Sequence, residues 1–304
     1  MKDFQKLALD DTFQFDCRPG IACFNRCCGD LNQFLTPYDI IRLKRNLKCT
    51  SGEFLNRYTT HHIGPRSGLP VVTLKMAEHA NLSCPFVSEA GCTVYPDRPG
   101  SCRIYPLARI IQRRPNQDGC EEWHMVIREP HCLGFEEPNE WTVREWRKGQ
   151  EVDPYDEMND LLMDIISLKN RTSKSRLTHQ ENALFYLACY DLDRFRDAVF
   201  EKRLWESLPV IEGVLKALEE DDVALMQFGI EWIKKELFTG QLEKEGEKDG
   251  RKNPSRKHER NENTKKGEEK EISRKHEKGE NTKGEGEEAQ REYHENTKRK
   301  KERK

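Results

Sequence analysis

The chain contains no run of about 18 consecutive apolar residues, the length a membrane-crossing helix requires, so no transmembrane segment and no membrane partner are expected. Its opening residues, Met1-Lys2-Asp3-Phe4-Gln5-Lys6, lack the apolar core of a secretion signal, which predicts a cytoplasmic location. Neither sign of charge dominates, since 52 Lys and Arg face 54 Asp and Glu. No glycine-rich G-x-G loop joins a strand to a helix, so the usual nucleotide cradle is missing. The C-x3-C-x2-C triplet of radical enzymes is missing too, and the nine scattered histidines support no Ser-His-Asp order.

What is present is unevenly spread. From Gln241 to Lys304 there are 21 Lys and Arg against 17 Asp and Glu, with Leu, Ile and Tyr as the only large apolar side chains. Such a segment buries too little surface to offset chain entropy and is expected to be disordered. It also repeats: Ser255-Arg256-Lys257-His258-Glu259 returns as Ser273-Arg274-Lys275-His276-Glu277, and Glu-Asn-Thr recurs at 262–264, 280–282 and 295–297. His258, His276 and His294 therefore read as products of the repeat rather than as metal ligands. The preceding 240 residues hold 31 Lys and Arg against 37 Asp and Glu, a net charge of −6, which offers no basic field for nucleic acid.

The expected architecture is α+β: a small cysteine-rich metal-binding domain at 1–150, a helical region at 151–240 and the disordered charged tail at 241–304. Thr36-Pro37-Tyr38-Asp39 predicts a capped helix start, followed by Ile40, Ile41, Leu43 and Leu47 at helical spacing. Leu69 to Met76 and Trp123 to Ile127 read as strands, whereas Cys84-Pro85-Phe86 and Gly91 to Pro106 read mostly as loop. Asp153-Pro154-Tyr155-Asp156 predicts a second capped start. Further amphipathic helices are expected over Asn182 to Trp205, Val210 to Leu218 and Val223 to Phe238. This helical region either packs on the first region or forms its own bundle.

Ten of the eleven cysteines fall between residues 17 and 132. In a reducing compartment, clustered thiols point to metal ligation more than to disulfides. Cys17, Cys23, Cys27 and Cys28 form C-x5-C-x3-CC, and Cys84, Cys92, Cys102 and Cys132 supply a second set. A helical turn would put Cys23 and Cys27 on one face. The adjacent pair Cys27-Cys28 suggests either two metal positions served from one turn, or one ligand beside a spare thiol. Eight thiolates would suffice for two zinc sites, two four-iron clusters, or one cluster plus spare cysteines, and spacing does not choose the metal. His131 is a candidate nitrogen ligand or outer donor. Arg98 and Arg103 could stabilise the Cys102 thiolate or could pair with surface carboxylates. Cys120 could be a reactive thiol or a substitute ligand, Cys189 reads as a buried core thiol, and His61-His62 reads as a solvent-facing loop pair.

The runs Cys84-Pro85-Phe86…Cys92-Thr93-Val94-Tyr95, Arg98-Pro99…Cys102-Arg103-Ile104-Tyr105-Pro106 and Cys132-Leu133-Gly134, following the Cys27-Cys28 doublet, resemble the YkgJ-type cysteine-cluster family over about residues 15–135. The resemblance implies a zinc- or iron-chelating domain, with Cys17, Cys23, Cys27, Cys28, Cys84, Cys92, Cys102 and Cys132 as the metal ligands. The gaps before the doublet are wider here than is usual for that family. The cluster is also similar to that of bacterial flagellin lysine methylases, which implies an iron–sulfur centre, such as a 4Fe-4S cluster, coupled to methyl transfer from S-adenosylmethionine. Three functions therefore compete: a metal carrier, sensor or maturation protein with an unidentified protein partner or substrate, an iron–sulfur methyltransferase, and a zinc-stabilised interaction module.

Overall fold

The computed structural model describes residues 6–77, 82–113, 120–172, 176–208 and 212–239. The repeat tail, with its expected disorder and its three histidines, lies outside the described residues.

Helix α1 (Pro37–Leu47) begins at the signal read from the sequence. Thr36 Oγ1 accepts the Asp39 N–H, and an Asp39 carboxylate oxygen accepts the Thr36 N–H at 2.8 Å. Ile40, Ile41 and Leu43 are buried, and Lys48 in a left-handed conformation ends the helix. Thr50 and Glu53 cap α2 (Ser51–Tyr58) in the same way. That helix runs straight into β4 (Thr59–Ile63), which pairs antiparallel with β5 (Pro70–Leu74). The other edge of β5 holds β3 (Phe34–Leu35). His61 and His62 thus lie on a strand rather than in a loop, because residues 59–63 extend along the free edge of β5. Both side chains are exposed.

A second sheet places β9 (Cys120–Val126) between β8 (Leu107–Arg113) and β1 (Lys6–Leu7), while β2 (Thr12–Gln14) pairs with β10 (Glu140–Thr142). A small core of Leu7, Phe15, Leu107, Val143 and Trp146 lies here, with the Trp146 ring edge-on to Phe15 at 5.5 Å.

After α4 (Val143–Gly149) the chain is helical: α5 (Asp153–Asn170), α6 (His179–Cys189), α7 (Leu192–Glu201), α8 (Glu212–Glu220) and α9 (Asp222–Lys234). Asp153 is not the cap of α5 but its first helical residue. Its carboxylate accepts from Arg147 Nη2 at 2.8 Å and so is not used to cap the helix. The helix expected over Asn182 to Trp205 breaks at Asp191, whose carboxylate accepts the Ser51 hydroxyl at 2.8 Å. The large core joins Ile40, Phe54 and Val72 to Ile165, Phe185 and Ile233, so the helices pack on the first region and the core crosses residue 150. Among the described residues, no helix is long and apolar enough to cross a membrane.

A buried ion-pair cluster fastens α1 to α7 and α9. Lys44 Nζ lies 2.9 Å from Asp193 and 3.3 Å from Asp222, and Arg196 reaches Asp222 at 2.6 Å. Burial alone would raise the Asp222 carboxyl, but Arg196 and Lys44 outweigh it and hold it below its ordinary value. Its stabilising contribution is therefore present above an unfolded pKa of about 3.9 and lost as pH falls through the lower folded value. Asp222→Asn should cost about 3 kcal/mol at pH 7, since it leaves Lys44 and Arg196 sharing the single carboxylate of Asp193. In urea titrations the gap between variant and parent should shrink toward pH 3; a gap independent of pH would contradict this assignment.

Candidate metal centre

The eight candidate cysteines sit on four segments that share no sheet or helix, and main-chain hydrogen bonds bring these segments together. The first segment leaves β2 and turns through residues 17–28. Phe24 N–H donates to Ile21 O at 2.9 Å, Arg26 N–H to Cys23 O at 2.9 Å and Cys28 N–H to Asn25 O at 3.0 Å. Cys23 and Cys27 do not share a continuous helical turn, because Asn25 is left-handed (φ 68°) and only Arg26–Cys28 form a tight 3₁₀ turn. Asn25 Nδ2 then donates to Ser88 O at 2.9 Å, fixing this turn to the hairpin of β6 (Val87–Ser88) and β7 (Gly91–Cys92). Gly91 has φ 118°, and a Cβ there would lie 3.3 Å from the Phe24 ring.

The second segment is joined to the first by Cys84 N–H, which donates to Cys28 O at 2.7 Å. The third carries Cys102 on α3 (Gly100–Ile104). Asp39, the capping residue of α1, also accepts the Gly100 N–H at 2.8 Å, and Gln33 donates to Ser101 Oγ at 2.6 Å while its Oε1 lies 3.4 Å from Cys102 Sγ. The fourth segment brings Cys132 close: Leu133 N–H lies 3.2 Å from Cys23 Sγ, and Asp16 N–H donates to Gly134 O at 3.0 Å. Gly134 is required by this approach, because a Cβ would meet Asp16 O at 2.4 Å and the Phe15 ring at 2.7 Å.

The thiols influence one another across the cluster, with Cys27 acting on Cys17 as well as on Cys28, Cys84 and Cys102. Burial and the neighbours Cys27, Cys23 and Cys132 push the Cys17 thiol up to about 11. Cys28 is pushed upward by its hydrogen bond to Cys27, by burial and by Cys84 and Cys102. Cys27, receiving that bond, is lowered to about 7. Burial, then Cys84, push Cys102 up to about 12, although the side chain keeps accessible area. Cys84 and Cys92 are also raised by burial, opposed by main-chain N–H groups of Phe86 and Val87 at Cys84 and of Val94 at Cys92. Among the described residues, no three Cys, His, Asp or Glu side chains converge closely enough to hold one ion as they stand. The thiols are gathered but not drawn together.

This donor set fits a soft ion bound as a thiolate complex. The groups around the sulfurs are main-chain N–H donors and a buried cation, which favour sulfur anions. Arg98 is 7% exposed, neighbours Cys92 and Cys102, and has no carboxylate within ion-pair distance among the described residues. Its guanidinium donates to Tyr95 O at 2.7 Å and to Gln150 Oε1, and lies 3.9 Å from the Tyr95 ring centroid. Arg103 is buried as well, but it clamps loops: Nη1 donates to Gln150 O at 2.7 Å and lies 3.6 Å from the exposed Glu151. The two alternatives for these arginines thus divide, with Arg98 beside the thiols and Arg103 holding the surrounding chain.

Other candidates lie elsewhere. Cys189 is fully buried in the large core, and Cys49 packs at its edge. The Cys120 side chain lies outside the described residues. His131 is near Cys132 in sequence, with its Nε2 buried and unpartnered. His124 is buried 3.0 Å from Arg147, held down to about 4 by burial and then by that arginine. The neighbouring Glu122 pairs with Arg109 at 2.9 Å. Gln33, Asn25 and Gly134 position the site without being read as functional in the sequence. Only Gly134 had a signal, its place directly after Cys132-Leu133.

Gly134→Ala should destabilise the protein by about 1–3 kcal/mol through overpacking against Asp16 and Phe15. It should also lower the metal retained after gel filtration, because Cys132 and Cys17 move apart. Unchanged melting and metal content would contradict the cradle.

Comparison with curated proteins and with solved structures finds no match to this chain. Residues 16–133, the stretch that carries all eight thiols, match the family described as "Putative zinc- or iron-chelating domain". The match covers the segment whose sequence resembles a cysteine-cluster family.

Proposed function

We propose that the domain chelates metal in two four-thiolate positions that part at the Cys27-Cys28 doublet. Cys17, Cys23, Cys27 and Cys132 would hold one ion, and Cys28, Cys84, Cys92 and Cys102 the other. The observation that carries this reading is the pairing of the cysteine segments, with Cys84 N–H donating to Cys28 O at 2.7 Å and Leu133 N–H lying 3.2 Å from Cys23 Sγ, while Cys27 influences sulfurs on both sides. The hydrogen bond between the Cys28 and Cys27 thiols keeps the two sulfurs side by side, so one piece of chain can serve both positions. Eight sulfurs divided four and four satisfy two tetrahedral ions with none left over.

Bound zinc would cross-link the four segments, and iron would add redox capacity. The chain's own residues prepare for either. Phe86, Val87 and Val94 present N–H groups to sulfur, and Arg98 offsets the negative charge that four thiolates on a divalent ion would carry. Because several thiols are held protonated, loading must release protons and should strengthen with rising pH. The reading implies a reducing, cytoplasmic setting, where the thiols stay available. It also implies a protein or thiol-bearing partner rather than nucleic acid, given the acidic balance of residues 1–240.

Anaerobic purification followed by elemental analysis and absorption spectroscopy tests this reading and identifies the metal. Cys27→Ser and Cys102→Ser should each lose bound metal, while Cys189→Ser, in the core, should keep its full complement. Metal content unchanged in the first two variants would refute the ligand assignment.

A further inference from the structure

Lys44 and Arg103, two buried cations of this fold, face carboxylates: Asp193 at 2.9 Å and Glu151 at 3.6 Å. Arg98 is built differently. Asp97 N–H donates to Val94 O at 2.9 Å, and this tight turn after Cys92 leaves the Arg98 guanidinium 3.9 Å from the Tyr95 ring centroid. Nη1 donates to Tyr95 O at 2.7 Å and Nη2 to Gln150 Oε1, so its donors are met by uncharged groups. Only 7% of the residue is exposed, and among the described residues no carboxylate lies within ion-pair distance. Arg103 grips the same residue, with Nη1 donating to Gln150 O at 2.7 Å, and adds positive charge on that side. The buried Asp39 carboxylate is already engaged by the N–H groups of Thr36 and Gly100. Burial lowers the Arg98 guanidinium most. Tyr95 opposes that, Arg103 adds to it, and Cys102 and Cys92 oppose it.

A guanidinium stays charged throughout the ordinary pH range, so it cannot relieve its burial by releasing a proton. A buried charge with hydrogen bonds but no opposite charge is unfavourable. Protonated thiols leave it so, whereas sulfur anions at Cys92 or Cys102 would supply the missing charge. Resting on the reading that these two cysteines bind metal, we infer that Arg98 is a built-in counter-charge. It destabilises the empty domain, stabilises the loaded one, and so links metal retention to folding. On loading, each sulfur gives its proton to solvent as its bond to the ion forms, so no group changes oxidation state. The excess negative charge of the thiolate complex then offsets the guanidinium. The ligand class follows: a soft cation held by sulfur anions, because neutral donors such as imidazole would leave Arg98 uncompensated.

Arg98→Gln removes the charge and keeps an N–H donor, while Arg98→Lys keeps the charge. The full chain is stripped of metal under reductant and its urea midpoint is measured; zinc affinity is then measured by competition with a chromophoric chelator. Stripped Arg98→Gln should unfold at higher urea than the stripped parent, yet bind zinc about 10–100-fold more weakly, the loss expected on removing a partner outside the ligand shell. Arg98→Lys should stay nearer the parent in both measurements. A residue that only packed its loop would lower the midpoint and the affinity together. A lower midpoint for stripped Arg98→Gln, failure of that variant to fold when stripped, or unchanged zinc affinity would overturn the counter-charge. So would stabilisation of the stripped parent by inorganic phosphate that Arg98→Gln abolishes, since it would assign Arg98 to a free anion. A parent that binds neither zinc nor ferrous iron would instead overturn the chelation reading on which the inference rests.

Discussion

The main-chain hydrogen bond from Cys84 N–H to Cys28 O, 2.7 Å long, is the contact on which the arrangement of the cysteine loops depends. It joins two segments that are 56 residues apart in a chain whose cysteine loops share no regular element. Around it, Asn25 reaches Ser88, Leu133 N–H reaches Cys23 sulfur, and Asp39 reaches Gly100. The Asp39 bond satisfies a Gly100 N–H that would otherwise be buried and unpaired. Together these bonds bring eight thiols into mutual influence before any ion contributes. What remains for the metal is to displace protons and draw the sulfurs inward.

The body of the fold serves this assembly indirectly. α1 supplies Asp39, which closes its own N-terminus and at the same time anchors the helix bearing Cys102. Asp97, between the cysteine loops, accepts from Arg42 at 2.7 Å and Asn46 at 2.8 Å on the same helix. The helices α5 to α9 cover the far side of α1 and complete the large core. A small loop-rich chelating unit is thereby mounted on a framework with enough buried apolar surface to be stable. Its sulfur sites need not supply the whole folding energy, unlike those of the smallest zinc modules.

Much of this could be read in the sequence, and the parts that could not share a cause. The start of α1 was legible because cap, proline and acid are local signals acting within one turn. The strand at Leu69 to Met76 was legible from its own residues, as was the clustering of cysteines. The break at Asp191 was hidden because it depends on Ser51, 140 residues away. The left-handed Asn25 was hidden too: a four-residue spacing suggested a helical turn, but Asn25 instead bonds a distant hairpin. Gln33 and the burial of Arg98 are likewise products of tertiary contact. The doublet Cys27-Cys28 is an intermediate case. Its adjacency suggests either two positions or one ligand beside a spare thiol, and the proposed division of sulfurs takes the first.

The family match and the donor chemistry agree on chelation, and the division of sulfurs is the claim that goes furthest. X-ray absorption at the metal edge of the anaerobically purified full chain, with the metal-to-protein ratio measured on the same sample, tests it most directly. The predicted result is two metal ions per chain, each surrounded by four sulfurs at about 2.3 Å. A single ion per chain, or a coordination shell containing two or more nitrogen or oxygen ligands, would contradict it.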